Sequence, residues 1–118
     1  MKFFLKPNVF ATIALTALVS AAQASFVGDA TWFNTGLGSC GFNNVDSDFV
    51  VALNSAQAAG NAHCGQLIRV QFQATTILVQ VVDTCPGCGV NGIDLSPGAF
   101  QALAPLDVGR IQVTWDFV

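Results

Sequence analysis

The clearest pattern in the chain is a strict alternation of polar and apolar side chains near its C-terminal end. The apolar positions are Ile111, Val113, Trp115 and Phe117. Because successive side chains of a strand point to opposite faces, residues 110–117 are predicted to form a strand with one face, including Trp115, in the core. Residues 66–73 alternate in the same way and are predicted to form a second strand of this kind.

Shorter apolar runs predict further strands at residues 26–33, 49–53, 75–82 and 93–95. Residues 75–82 are almost continuously apolar or β-branched, which predicts a strand covered on both faces. One or two helical turns are predicted at residues 55–59. A second short helix is predicted at residues 97–103, with Ser96 as its N-cap and Pro97 in its first position. Several strands, two short helices and many glycine turns, without a linker or repeat, predict one small β-barrel domain over residues 25–118.

The N-terminal segment has the pattern of an export signal. A basic start at residues 1–6 precedes an apolar run, Val9–Val19, and then the small-x-small sequence Ala22-Gln23-Ala24. This pattern predicts a signal peptide at residues 1–24, with Ser25 as the mature N-terminus. The alternative, a membrane anchor, is disfavoured because the run is shorter than the roughly 20 residues needed to span a bilayer. We therefore expect a secreted, extracellular monomer.

Loss of the signal changes the charge balance. Of the four cations of the whole chain, Lys2 and Lys6 fall in the signal, so residues 25–118 keep Arg69 and Arg110 beside seven aspartates. The formal net charge of that part is −5, and it contains no lysine and no glutamate. Such a chain offers no basic surface to phosphate backbones or anionic lipids. Nucleic-acid binding, and membrane binding after signal cleavage, are therefore not expected.

The four cysteines raise three alternatives. They are Cys40, Cys64, Cys85 and Cys88. In an exported chain an even number indicates two disulfides, for which three pairings exist. A zinc site that adds His63 to three thiolates is disfavoured, because oxidised cysteines do not ligate metal. A redox role for the Cys85-Pro86-Gly87-Cys88 stretch lacks a helix N-terminus that would activate a thiolate. We expect structural disulfides, no metal and no cofactor.

Several short segments follow one another in a recognisable order. They are Gly28–Phe33, Ser39–Gly41, His63–Gly65, Val82–Cys85, Ile93–Phe100 and Gly109–Trp115. Their order and spacing resemble rare-lipoprotein-A-like, barwin-like and expansin domain 1-like double-psi β-barrels, and above all small secreted fungal proteins made of the barrel alone. The resemblance implies a mainly β fold, a six-stranded double-psi β-barrel with one or two short helices and a groove across one face. It also implies the disulfide pairs Cys40–Cys64 and Cys85–Cys88.

The resemblance further implies that Thr31, Trp32, Asp83 and Asp94 line the groove. Asp94 stands where lytic transglycosylases and expansin-like barrels need an aspartate for activity, with Thr31 and Asp83 as supporting hydroxyl and second carboxylate. Each aspartate also ends or interrupts an apolar run, and paired carboxylates can divide acid and base roles. The alternative is that both are structural and accept backbone N–H groups where the chain turns.

Three functions remain open at this stage. The first is binding or loosening of a neutral wall polysaccharide of cellulose or chitin type, without hydrolysis. The second is a protein-binding module, such as a protease inhibitor or a secreted effector. The third is a lytic enzyme that uses Asp94, with Asp83, as acid and base. Two departures from the expansin pattern favour the first over the third: Gly92 replaces a histidine, and Cys85 replaces an aromatic residue.

Overall fold

Six strands close into a barrel in the computed structural model, which describes residues 24–118. The strands are β1 (Phe26–Trp32), β2 (Val50–Asn54), β3 (Leu67–Phe72), β4 (Thr75–Cys85), β5 (Ile93–Leu95) and β6 (Ile111–Phe117). Two short helices, α1 (Ser55–Ala58) and α2 (Pro97–Leu103), and a 3₁₀ turn (Leu106–Val108) complete the fold. The mainly β prediction is therefore confirmed. The predicted signal peptide, apart from Ala24, lies outside the described residues.

The barrel order is β1-β5-β2-β4-β3-β6, so most neighbours in space are distant in sequence. β1 runs parallel to β5, and β2 runs parallel to β4, whereas the other pairs are antiparallel. A closed sheet leaves no unpaired edge, which suits an all-β domain. Among residues 24–118, no helix is both long and apolar enough to cross a bilayer.

The barrel interior is filled by the apolar positions of the alternating strands. Trp115 is 1% exposed, which confirms its predicted place in the core. Its indole Nε1 donates to the carbonyl of Asn91 at 2.9 Å, so its polar atom is satisfied. Helix α2 closes one side of the barrel with Phe100, which is fully buried. Ser96 caps this helix by accepting from the backbone N–H of Ala99, as the sequence predicted.

The prediction for residues 75–82 is wrong in its first half. Thr75, Thr76 and Leu78 are exposed, whereas Val81 and Val82 are buried. The start of β4 pairs with β3 alone, and β2 joins it from Gln80 onward. Val81 and Val82 are consecutive and both buried, so two-sided cover applies to the second half of the strand. The strand also extends three residues beyond the predicted end.

Two aspartates anchor the long loop of residues 33–49. Asp46 accepts from the backbone N–H of Thr35 at 2.8 Å, and Asp48 accepts from that of Val45 at 3.0 Å. The backbone carbonyl of Asp48 accepts from the hydroxyl of Ser96 at 2.5 Å, which fastens the loop to the start of α2. Backbone hydrogen bonds lower the pKa of both carboxyls, helped by side-chain hydrogen bonds from asparagines 34 and 44.

These contacts predict that the loop loosens in acid. A carboxyl whose pKa is lowered by folding stabilises the fold above its ordinary pKa of 3.8, and this contribution is lost as the pH falls through the lower folded value. Amide hydrogen exchange of residues 33–49 is expected to accelerate as the pH drops below about 3.8, after correction for the intrinsic rate. The double variant Asp46→Asn/Asp48→Asn should lose this pH dependence. An identical profile in wild type and variant would contradict the prediction.

Candidate functional site

One row of side chains crosses four neighbouring strands on the outer face of the barrel. Thr31 of β1 pairs with Asp94 of β5, Asp94 pairs with Ala52 of β2, and Ala52 pairs with Asp83 of β4. Residues in register on adjacent strands share a face. The row therefore places the two carboxylates on either side of a small, buried alanine. Because neighbouring strands lie about 4.8 Å apart, the Cα atoms of Asp83 and Asp94, two strands apart, are separated by roughly 10 Å.

A β-bulge decides on which face Asp83 lies. Val79 and Val81 belong to the barrel core, so simple alternation would direct residue 83 inward as well. The register between β2 and β4 shifts between Val51 and Ala52, and Val82 is the extra residue on the β4 side. An extra residue reverses the alternation, so Asp83 shares the outer face with Ala52 and Asp94.

Asp94 is half-buried and held from one side. Thr31 Oγ1 donates to Asp94 Oδ1 at 2.9 Å, while Cys85 Sγ lies 4.0 Å from Asp94 Oδ2. This sulfur carries no proton because it is in a disulfide. Burial raises the pKa of Asp94, and repulsion from Asp83 adds to the rise. The Thr31 hydrogen bond and attraction from Arg110 oppose it. A carboxyl with a raised pKa is suited to hold or donate a proton.

Asp83 has a different environment. Its Oδ1 accepts from the backbone N–H of Ser39 at 2.9 Å and from that of Thr84 at 2.8 Å. The Ser39 bond joins the end of β4 to the glycine-rich loop, residues 35–41, where Cys40 N–H also donates to the carbonyl of Val82. Asp83 thus fulfils the structural role that its sequence context allowed. It also stays on the same face as Asp94.

Gly38 is required for this close approach of loop and strand. A Cβ at Gly38 would lie 2.4 Å from the carbonyl oxygen of Val82. Gly38→Ala must therefore displace the loop and strain the Ser39–Asp83 hydrogen bond. We expect a loss of about 2 kcal/mol in the free energy of unfolding, measured by urea denaturation. Gly36→Ala is the matched control, because its Cβ would meet nothing within 4 Å, and should cost less than about 0.5 kcal/mol. Equal losses in both variants would contradict this account.

Two clefts open at the ends of the row. The Thr31 cleft, of about 400 Å³, is lined by Val27–Asp29, Thr31, Cys85, Gly87–Val90, Gly92, Ile93, Arg110 and Gln112. The Asp83 cleft, of about 220 Å³, is lined by Phe33–Gly38, Asn44, Val82 and Asp83. Asp94 lies between them. Thr31 lines the first cleft and Asp83 the second, and we refer to the row together with the two clefts as the groove.

The structure brings together Thr31, Asp83 and Asp94 but not Trp32. The Trp32 side chain lies on the opposite side of β1, packs against the core, and donates from Nε1 to the carbonyl of Leu106 at 2.9 Å. Sequence reasoning also missed an ion pair in the Thr31 cleft. Arg110 Nη1 lies 3.1 Å from Asp29 Oδ2 across the β1–β6 pair, which only the barrel topology reveals.

The cysteines form the pairs that the resemblance implied. Cys40–Cys64 ties the glycine-rich loop to the segment before β3, and Cys85–Cys88 closes a turn beside Asp94. His63 stacks on Phe117 with 4.5 Å between ring centroids. Its neighbour Cys64 is paired with Cys40, so the sulfur of Cys64 is not a thiolate.

Known proteins resemble this chain in sequence and in fold. A family model described as lytic transglycolase, a double-psi β-barrel family, matches residues 25–115. The chain belongs to this double-psi β-barrel family. Another similar protein is an EG45-like domain containing protein of Citrus jambhiri, 32% identical over 94% of this chain and 95% of its own length.

The names of similar double-psi barrel proteins state different activities or ligands. A papain inhibitor of Streptomyces mobaraensis is 47% identical over 46% of this chain, and the solved Streptomyces papain inhibitor superposes with a TM-score of 0.73 at 34% identity, covering 83% of this chain and 97% of its own. An expansin variant of Clavibacter michiganensis in complex with cellohexaose gives a TM-score of 0.75 at 31% identity, covering 80% of this chain and 50% of its own. The chain spans 38% of the curated papain inhibitor and 41% of an Asp f 7 allergen homologue of Arthroderma benhamiae.

Proposed function

We propose that this double-psi barrel is secreted and that its groove binds or loosens a neutral wall polysaccharide of cellulose or chitin type, without hydrolysis. Export would rest on the signal predicted at residues 1–24. The observation that carries the proposal is the Thr31–Asp94 pair, set between two clefts that open on one face. Support comes from the solved expansin complex with cellohexaose, whose barrel this chain resembles.

The chemistry of the groove suits a hydroxyl-rich ligand. Asp94 Oδ2 offers a hydrogen-bond acceptor, and Arg110 and Gln112 offer donors on the wall of the Thr31 cleft. Sugar hydroxyls both donate and accept, so a groove that mixes the two kinds of group can pair with them. The net charge of −5 after signal removal disfavours anionic polymers and leaves neutral ones.

Hydrolysis is disfavoured because the second carboxylate, Asp83, already accepts hydrogen bonds from the backbone. Glycoside hydrolysis generally uses two carboxyl groups, one as acid and one as base or nucleophile. Asp83 Oδ1 accepts two backbone N–H bonds, and the bond from Ser39 holds the loop against β4. Any movement of this carboxylate toward a substrate would break them. Because Asp83 is held in this way, the groove supports binding through Asp94 better than catalysis by two carboxyl groups.

Co-sedimentation tests the proposal directly. The protein is expected to sediment with insoluble cellulose or chitin, and soluble cellohexaose or chitohexaose should release it. Paper strips pre-treated with the protein should extend further under load, without release of reducing ends. Failure to bind any neutral wall polymer would overturn the proposal.

The second candidate is inhibition of a cysteine protease. It is favoured by the papain inhibitor, which this chain matches over 97% of the solved length. The exposed apolar side chains of Leu37, Phe42 and Val45 in the 33–49 loop would suit a protein partner. A titration of papain with the protein, followed by peptide hydrolysis, tests this candidate. Stoichiometric inhibition would favour it over polysaccharide binding.

The third candidate is lytic cleavage with Asp94 as the acid. It is favoured by the raised pKa of Asp94 and by the description of the matching family model. Release of anhydro-sugars from a glycan, detected by mass spectrometry, would establish it and would exclude the purely binding function.

A further inference from the structure

The Cys85–Cys88 disulfide lies at the point where the Thr31 cleft meets Asp94. Both cysteines line this cleft, and Cys85 Sγ is 4.0 Å from Asp94 Oδ2. One ligand atom from each of Cys85, Cys88 and Asp94 lies within 4.8 Å of the others. Two sulfurs and a carboxylate oxygen are the donors of a zinc site, but here the sulfurs are bonded to each other.

The turn that carries these cysteines is also held by other bonds. Cys88 N–H donates to the carbonyl of Cys85 at 3.1 Å, and Gly92 N–H donates to the carbonyl of Gly89 at 2.8 Å. Gly92 packs so closely that a Cβ there would lie 3.2 Å from Cys88 Cβ. The cysteine side chains are therefore expected to remain neighbours after the disulfide opens.

The Asp94 carboxylate is also held close to the two sulfurs. Thr31 fixes Asp94 through Oδ1 and leaves Oδ2 on the side of Cys85. In a tetrahedral zinc site with bonds of about 2.3 Å to sulfur and 2.1 Å to oxygen, ligand atoms lie about 3.6 to 3.8 Å apart. The present sulfur-to-oxygen distance of 4.0 Å is close to this value. The two sulfurs would have to separate from bonding distance to about 3.8 Å.

We propose that this disulfide is a reducible cap on a cation site, in which Cys85, Cys88 and Asp94 bind one soft divalent cation such as Zn²⁺. An external dithiol reduces the disulfide: its two thiols become a disulfide, and Cys85 and Cys88 become thiols. The cation then displaces the two thiol protons, which are released to solvent. Pro86 and Gly87 are exposed, so a reductant can reach the turn.

The test uses the full chain, with Cd²⁺ as the probe because its thiolate complexes absorb in the ultraviolet. After mild reduction by a dithiol, which is then removed without air, one Cd²⁺ per chain is expected to bind with thiolate charge-transfer absorption. The oxidised protein should bind none. Asp94→Asn should weaken binding by at least about tenfold, since even loss of an outer partner of a metal ligand costs that much. Asp107→Asn removes a carboxylate that is exposed and lines neither cleft, and it should not weaken binding.

Several outcomes would overturn the proposal: no uptake by the reduced protein, uptake by the oxidised protein, or affinity unchanged in Asp94→Asn. Circular dichroism and mass spectrometry of alkylated cysteines establish whether the fold and the Cys40–Cys64 bridge survive. If reduction unfolds the chain, the variant Cys85→His/Cys88→His tests the same positions with that bridge oxidised. Its Zn²⁺ binding must then depend on Asp94; absent or Asp94-independent binding would overturn the proposal. No polysaccharide is present, so the result is independent of the proposed function.

Discussion

Removal of the Cys40–Cys64 disulfide is expected to lower the free energy of unfolding by roughly 3.5 kcal/mol, the value of the chain-entropy model for a closed loop of about 25 residues. The cross-link joins residues separated by 24 positions and limits the unfolded chain far more than a local bridge does. A loss of this size is a large fraction of the stability of a small domain. Urea denaturation of Cys40→Ala/Cys64→Ala against wild type measures it.

Cys85→Ala/Cys88→Ala is the matched control, because it also removes one disulfide and two sulfurs. Its ring spans three positions, and the same model gives about 2 kcal/mol for it. The Cys40–Cys64 variant should also free the glycine-rich loop, so that protease sensitivity near Ser39 and Gly41 increases. A smaller stability loss than in the control would contradict the prediction.

Most of the barrel could be predicted from the sequence because strands with one buried face alternate visibly. The 110–117 alternation predicted β6 and the burial of Trp115, and Ser96-Pro97 predicted the start of α2. These signals are local, since each depends on neighbours within one element. The disulfide pairs followed from family resemblance, because four cysteines alone allow three pairings.

The face on which Asp83 lies could not be predicted from alternation. The apolar run before it continues through Val81 and Val82, so the sequence gives no sign of which residue is extra. A bulge depends on the partner strand, and here that partner, β2, lies some 30 residues earlier in the chain. Family resemblance placed Asp83 in the groove, and the shifted register supplies the physical reason.

The wrong placement of Trp32 in the groove could have been avoided from the sequence. The resemblance places Trp32 in the groove beside Thr31, but neighbouring positions of a strand face opposite sides. Thr31 faces the groove, so Trp32 cannot, and its indole instead reaches the 3₁₀ turn at Leu106. Alternation applied to β1 would have separated the two. The Arg110–Asp29 pair needed the closed barrel order, which no local pattern contains.

Asp94→Asn is expected to weaken polysaccharide binding by roughly ten- to a hundredfold, because a charged hydrogen-bond acceptor is lost from the groove. The shape of the site should survive, since the asparagine Oδ1 can still accept from Thr31 Oγ1. Binding isotherms on cellulose or chitin measure the loss. Asp107→Asn removes the same charge from an exposed position and should bind as wild type.

Thermal stability distinguishes a binding role of Asp94 from a structural role. Burial raises the pKa of Asp94, so the folded state favours the protonated form, and its ionisation opposes folding as the pH rises through the folded value. Asparagine cannot ionise, so the variant should have an equal or higher Tm at neutral pH, and the difference should shrink in acid. Weaker binding together with an equal or higher Tm is expected if the Asp94 carboxylate serves binding and destabilises the fold. A variant that binds weakly and melts well below wild type at neutral pH would instead assign Asp94 to the scaffold.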